Sequence, residues 1–237
     1  MKRLRYTHIL TLLILSLSLL PGCTELDNYD EPEWGTIYGK LIDSVTGEPM
    51  LTEQPNGFRI RYIEQDYEFD VSPQNFHGKA DGTFERSDIV PATYKVLPIE
   101  GPFIPVTDSA TVVVPPNGRA EVNFTVTPYL NVNASAVAAG TTIEVSYTIS
   151  RPQFTSKIQE RKTLCSDVPT VSHANGVFIK HVTTNLSGVS DDLILTTTYK
   201  DVVTGLQAGK TYWVRAAARV NTSGKFNYSP VFEITIP

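Results

Sequence analysis

Thr141-Thr142-Ile143-Glu144-Val145-Ser146-Tyr147-Thr148-Ile149 alternates apolar and polar side chains along its length. Successive side chains of an extended strand point to opposite faces, so this period of two marks a strand with one face buried. Val122-Asn123-Phe124-Thr125-Val126 and Phe58-Arg59-Ile60-Arg61-Tyr62-Ile63 do the same. The 3.6-residue apolar stripe of an amphipathic helix is missing. Asn56-Gly57, Asp81-Gly82, Asn117-Gly118 and Asn175-Gly176 lie between the alternating runs and read as hairpin-type turns. The 16 prolines, many beside those runs, suit edges and turns. The expectation is an all-β chain built as two tandem antiparallel β-sandwiches.

The chain has 237 residues, 41% apolar, 10% aromatic and 19% charged. That length is enough for one or two domains with cores of their own. Low charge and ample aromatics exclude a disordered or coiled-coil protein. A formal net charge of −5 leaves no electrostatic footprint for nucleic acid.

The first 22 residues read as a processed leader. Lys2, Arg3 and Arg5 form a basic start, and Ile9 to Leu20 is an apolar run too short to span a bilayer. The run ends at Leu20-Pro21-Gly22-Cys23, which resembles the bacterial lipobox. That resemblance implies lipidation at Cys23 and anchoring of the mature chain to a membrane. Loss of Lys2, Arg3 and Arg5 with the leader takes the net charge from −5 to −8. Glu25, Asp27, Asp30 and Glu31 follow Cys23. They resemble the acidic export signal of surface lipoproteins in Bacteroidota, and equally suit a solvated tether over residues 23–33. The expected location is the outer membrane, facing the cell exterior. With Cys23 lipidated, Cys165 is the remaining thiol and reads as buried and inert.

The rest divides at Thr127-Pro128, into residues 34–127 and 128–237. The first part contains Gly35-Thr36-Ile37-Tyr38-Gly39-Lys40-Leu41-Ile42-Asp43, then Thr46-Gly47-Glu48-Pro49, then Pro91-Ala92-Thr93-Tyr94. These segments resemble the carboxypeptidase-regulatory or transthyretin-like sandwich. The second contains Leu206-Gln207-Ala208-Gly209-Lys210-Thr211-Tyr212, similar to the fibronectin type III motif whose tyrosine bonds back to the preceding turn. Gly101–Val106, Asn123–Leu130 and Gly224–Phe232 complete a resemblance to two-domain Bacteroidota lipoproteins of the domain of unknown function 3823 type. That resemblance implies an accessory glycan-binding or capture role beside a starch-utilisation-type outer-membrane importer. Its implied partners are glycan and importer proteins, and it supplies no catalytic residues. The alternative is a structural, assembly or adhesin-type lipoprotein that binds protein partners alone.

Catalytic chemistry is hard to find. His77, His173 and His181 form no metal-ligand spacing, and no nucleophile elbow, phosphate loop or paired-cysteine motif occurs. The expectation is a non-enzyme with no cofactor and no metal. Ligand-binding candidates are aromatic, because sugars stack their C–H faces on exposed rings. Strand alternation turns Tyr212, Val214, Ala216 and Ala218 inward, leaving Trp213, Arg215, Ala217 and Arg219 outward. Trp213 with Arg215 and Arg219 either binds a sugar or packs against the first domain, a partner or its own arginines. Tyr62, Tyr67 and Phe69 frame a polar loop around Gln65-Asp66, and Tyr67 joins the candidates. Asp43-Ser44-Val45 and Asp108-Ser109-Ala110 resemble the Bacteroidota O-glycosylation pattern, which makes Ser44 and Ser109 candidate modification sites.

Overall fold

In the first strand, β1 (Gly35–Asp43), alternate residues from Gly35 to Asp43 turn into a core. The computed structural model describes residues 33–154 and 156–237. The leader and Cys23 lie outside the described residues, as does the tether up to residue 32.

Seven further strands follow β1: β2 (Arg59–Glu64), β3 (Gln74–His77), β4 (Thr83–Ile89), β5 (Ala92–Ile99), β6 (Ala110–Val114), β7 (Arg119–Glu121) and β8 (Phe124–Val126). One sheet has the order β4-β1-β7, with β8 also on β1, and the other the order β3-β2-β5-β6. Their facing side chains form one core that includes Ile37, Leu41, Phe58, Ile60, Phe84 and Val96. β1 pairs antiparallel with β4 but parallel with β7 and β8. Between those two short strands Val122 N–H donates to Tyr38 O at 2.9 Å. Gly39 permits this approach, since a Cβ there would lie 1.7 Å from Val122 O.

The second half holds β9 (Asn131–Ala139), β10 (Thr142–Ser150), β11 (Ile158–Ser166), β12 (Lys180–Asn185), β13 (Tyr199–Val203), β14 (Thr211–Val220), β15 (Asn227–Tyr228) and β16 (Phe232–Thr235). Its sheets run β13-β10-β9 and β12-β11-β14-β15, with β16 also on β14. Among the described residues, a six-residue helix, α1 (Asp191–Thr196), departs from the strands and turns that the sequence pattern predicts. Ser190 caps it and Asp191 pairs with Arg151 and Lys157. Across the sandwich, buried Asp201 on β13 accepts from Tyr147 on β10 and from Arg161 and Thr163 on β11. This polar clasp joins the two sheets inside an otherwise apolar core.

The turn dipeptides do not close hairpins as expected. Asp81-Gly82 connects β3 to β4, and Asn117-Gly118 connects β6 to β7. In each case the two strands belong to different sheets. Gly82 and Asn117 supply the positive φ, 80° and 50°, that a sharp reversal needs. Asn175-Gly176 falls in a single 3-10 turn, Ala174–Gly176. A left-handed turn signal reports a reversal and says nothing of whether the next strand pairs with the last.

Glu33–Pro237 forms one compact unit, held where the two sandwiches meet. Glu53, 4% exposed, leaves the first sandwich and enters the second. There its Oε2 accepts from Ala174 N–H at 2.9 Å, from Ser172 Oγ and from the Tyr228 hydroxyl. Arg215, 3% exposed, lies 3.6 Å over the Tyr228 ring and donates to Thr52 O at 2.9 Å. On the neighbouring strand end, Asn227 donates to Pro102 O and accepts from Leu130 N–H. The segments Gly101–Val106, Asn123–Leu130 and Gly224–Phe232 therefore converge on this seam.

Glu53→Gln removes the buried charge that shares Tyr228 with Arg215 while keeping the side chain's shape. A buried cation left uncompensated costs about 3–5 kcal/mol. Denaturant unfolding is expected to show that loss, with the single transition splitting into two as the sandwiches uncouple. An unchanged single transition would mean that Glu53 does not hold the seam.

Candidate functional site

β14 carries three of the four ligand-binding candidates, and the structure revises the orientation read for them. Tyr212, Val214, Ala216 and Ala218 do face the core of the second sandwich. The opposite face is also covered. Ala217 is fully buried and Trp213 half-buried, in a second cluster with Leu164, Val171, Phe226 and Tyr228. Arg215 is not a solvent-facing residue but the seam cation described above. Arg219 bonds Glu160 through its Nε at 2.8 Å and lies 5.2 Å from the Phe226 ring. Alternation tells which residues share a face, but not whether another segment covers it. Ala216-Ala217-Ala218 was the available signal, because strands buried on both faces lose their polar alternation.

Tyr67 stands elsewhere, in the loop between β2 and β3. It is 52% exposed and Phe69 69% exposed, with ring centroids 5.0 Å apart and planes tilted by 30°. Two large rings held together in solvent are unusual on a domain whose other aromatics are mostly buried. Asp66, one residue before Tyr67, accepts from Thr93 N–H at 2.9 Å and so ties the loop to the start of β5. The same loop walls a small cavity of about 100 Å3, lined by Tyr62, Glu64, Val71, Gln74 and Tyr94 among others. At roughly 30 Å3 per water, it admits a hydroxyl or hydroxymethyl group and excludes a sugar ring. Burial, helped by the neighbouring Asp66, raises the Glu64 carboxyl above its ordinary range. Tyr62 OH donates to Gln74 and Tyr94 OH to Val90 O, so both hydroxyls keep free acceptor lone pairs.

Two larger clefts flank the seam. One, of about 410 Å3, is lined by Glu100, Gly101, Phe103, Tyr129 and Lys225 among others. The other, of about 440 Å3, is lined by Met50, Leu130, Asn131, Asn133 and Tyr228 among others. Both fall within the size range of small-ligand sites.

The remaining sequence candidates scatter. Ser44, in the turn after β1, and Ser109, just before β6, are exposed. His173 packs against Phe226 and His181 against Phe178. Among the described residues no group of three or more His, Cys, Asp or Glu side chains is placed to hold a metal ion. Burial pushes the Cys165 thiol up to about 11, which suppresses the thiolate at neutral pH. Tyr94 donates from β5 to Val90 O and Tyr212 accepts from Gln207 N–H, each tying a strand to the turn before it.

The architecture is that of a double β-sandwich with surface clefts. Residues 35–127 match the family described as "Protein of unknown function (DUF3823) N-terminal domain". A DUF3823 family protein from Bacteroides uniformis is 25% identical with a TM-score of 0.74, over 86% of this chain and 99% of that one. A second, from Bacteroides ovatus, is 17% identical with a TM-score of 0.70, over 86% and 100%. A third structure, from Bacteroides uniformis and described as a "putative carbohydrate binding protein", is 22% identical with a TM-score of 0.69, over 86% and 100%. No curated protein matches the sequence. Residues 35–127 thus match the DUF3823 N-terminal domain, and the chain as a whole shares its fold with DUF3823 family proteins from Bacteroides.

The tyrosines yield a prediction about alkaline stability. Burial first, and then the nearby carboxylates Glu64, Asp201 and Glu53, raise the hydroxyls of Tyr94, Tyr147 and Tyr228 above the ordinary 10. Above pH 10 the unfolded chain sheds these protons while the folded one retains them. Their contribution is therefore complete below pH 10 and lost as pH rises beyond it. Burial also lowers Arg215 to about 10, which acts in the opposite sense over the same range. With three tyrosines against one arginine, melting temperatures are expected to hold level from pH 7 to 9 and fall above 10. Tyr228→Phe should make that fall shallower.

Proposed function

We propose that this chain is a non-catalytic carbohydrate-binding protein, lipidated at Cys23 and held at the outer membrane facing outward. In this reading it captures glycan as an accessory to an importer of the starch-utilisation type. The observation that carries the binding role is the exposed Tyr67–Phe69 pair. Sugar rings present apolar C–H faces to such aromatics, and hydroxyls at their edges seek acceptors. The loop that carries the two rings also walls a cavity of about 100 Å3, large enough for a hydroxyl or hydroxymethyl group and lined by Glu64, Gln74, Tyr62 and Tyr94. The fold it shares with a structure described as a putative carbohydrate binding protein supports the same reading. The lipobox and the acidic stretch after Cys23 support the anchor and the address.

The test is calorimetric titration of the purified protein and of Tyr67→Ala and Phe69→Ala with a panel of neutral polysaccharides. Loss of one stacking ring is expected to weaken binding roughly three- to tenfold, in line with about 0.5–1.5 kcal/mol per aromatic contact. Both variants should keep the parent melting temperature, because the rings are exposed. If a glycan binds and neither substitution alters its affinity, the ring pair is not the site. If no polysaccharide binds, the protein-partner alternative gains.

A further inference from the structure

The 410 Å3 cleft at the seam combines an accessible tyrosine hydroxyl on a buried ring, an unpaired cation and a strained wall. Tyr129 is about nine-tenths buried and lines the cleft, and its hydroxyl bonds to no described residue. The hydroxyl itself is accessible rather than buried, so it is free to meet a ligand in the cleft. Lys225, in the turn between β14 and β15, also lines the cleft. Its backbone N–H is fixed by Ser223 Oγ at 3.1 Å, and its ammonium pairs with no carboxylate among the described residues. Glu100 is the one acidic side chain in the wall, and its charge is spent: Arg59 meets both of its oxygens. Its backbone sits at φ 56°, a left-handed conformation that is unfavourable for a non-glycine residue.

Charge gives the cleft its selectivity. Arg59, Lys225 and Arg61 all act on the Glu100 carboxyl and, with the Arg59 hydrogen bond foremost, hold it below its ordinary range. Three cations around one carboxylate leave a local positive excess, on a chain whose net charge is −5. Val106 and the largely buried Phe103 and Tyr129 line the same space, and Thr222 and Ser223 add hydroxyls. A neutral sugar would satisfy the hydroxyls and leave the ammonium unmatched, whereas a sugar bearing a carboxylate satisfies both.

We infer that this cleft binds an acidic sugar residue, its carboxylate on the Lys225 ammonium and the Tyr129 hydroxyl. The inference rests on the carbohydrate-binding reading but concerns a site separate from the Tyr67–Phe69 pair.

The probe is a trimer of galacturonic acid, titrated into the isotopically labelled protein alongside its neutral methyl ester. The acid is expected to shift the backbone amide signals of Gly101, Gly224 and Lys225, and the ester to bind about tenfold more weakly or not at all. Lys225→Gln is expected to weaken the acid about tenfold and to abolish the preference over the ester. Tyr129→Phe, which removes only the hydroxyl, is expected to weaken it roughly threefold. Equal binding of acid and ester, no binding of either, or an unchanged affinity in Lys225→Gln would each overturn the inference. Shifts confined to the Tyr67 and Phe69 amides would do the same. The two readings fail separately. Neutral glycan bound at the rings without acid bound at the cleft removes this site and leaves the first proposal. Acid bound through Lys225, with Tyr67→Ala silent towards every glycan, does the reverse.

Discussion

The seam depends on one buried carboxylate. Glu53 leaves water to enter the second sandwich, and a bare carboxylate there would be prohibitively costly. It is tolerated because Ala174 N–H and the hydroxyls of Ser172 and Tyr228 converge on it, while the Arg215 guanidinium stacks over the ring of that same tyrosine. Each partner needs the others. Arg215 without the ring, the carboxylate and Thr52 O would be an isolated buried cation; Arg215 Nε already lacks a partner. Such a cluster contributes little net stability compared with an apolar seam. It does specify one arrangement, because any other relative placement of the sandwiches strands two charges. The two clefts take their walls from both sides of this seam. Their widths are set by the same contacts, which makes them preformed rather than hinged sites.

Much of the fold was legible because the strand signal is local. The Thr141–Ile149 run became β10 within a residue, and the alternating side chains of β1 enter the core as their period requires. What escaped was non-local. The dipeptides at Asp81 and Asn117 announced reversals of the chain, yet the sheet to which the next strand returns depends on packing far along the sequence. The β14 strip took its packing alternative for the same non-local reason. Its inner face was legible, and its outer face was covered by segments reaching from Val171, Phe226 and Thr52, which no window around Trp213 contains.

For the candidate site, legibility followed exposure. Tyr67 was named from the polar company it keeps, and polar company is a fair sign of a solvent-facing loop. Arg215 was named from alternation alone and went the other way, into the seam. Tyr129 and Lys225 were not singled out at all. They stand almost a hundred positions apart, one just past the first sandwich and the other in a turn near the end of the second. Only the folded seam brings them to one cleft. A ligand site assembled between two domains leaves no compact motif in the chain.

Strain in the backbone adds an independent line of argument. Among the described residues, Asp88, Glu100 and Asn117 are the non-glycine positions with positive φ. Asn117 has a plain structural reason, since asparagine tolerates that conformation in a tight turn between sheets. Asp88 also has one, since it lies where β4 carries an extra residue opposite Gly35–Ile37 of β1, whereas Glu100 follows β5 and lines the larger cavity at the seam. A left-handed acidic residue persists only where its surroundings over-determine it. At Glu100 the surroundings are the two bonds to Arg59, which both neutralise the carboxylate and leave Lys225 as the uncommitted charge of the cleft. Had the wall been built for stability alone, glycine at position 100 would relieve the strain and free Arg59 to compete for any anion. Retaining a neutralised glutamate there keeps a single cation facing the space, and a single cation beside one free hydroxyl is a recognition element for one carboxylate.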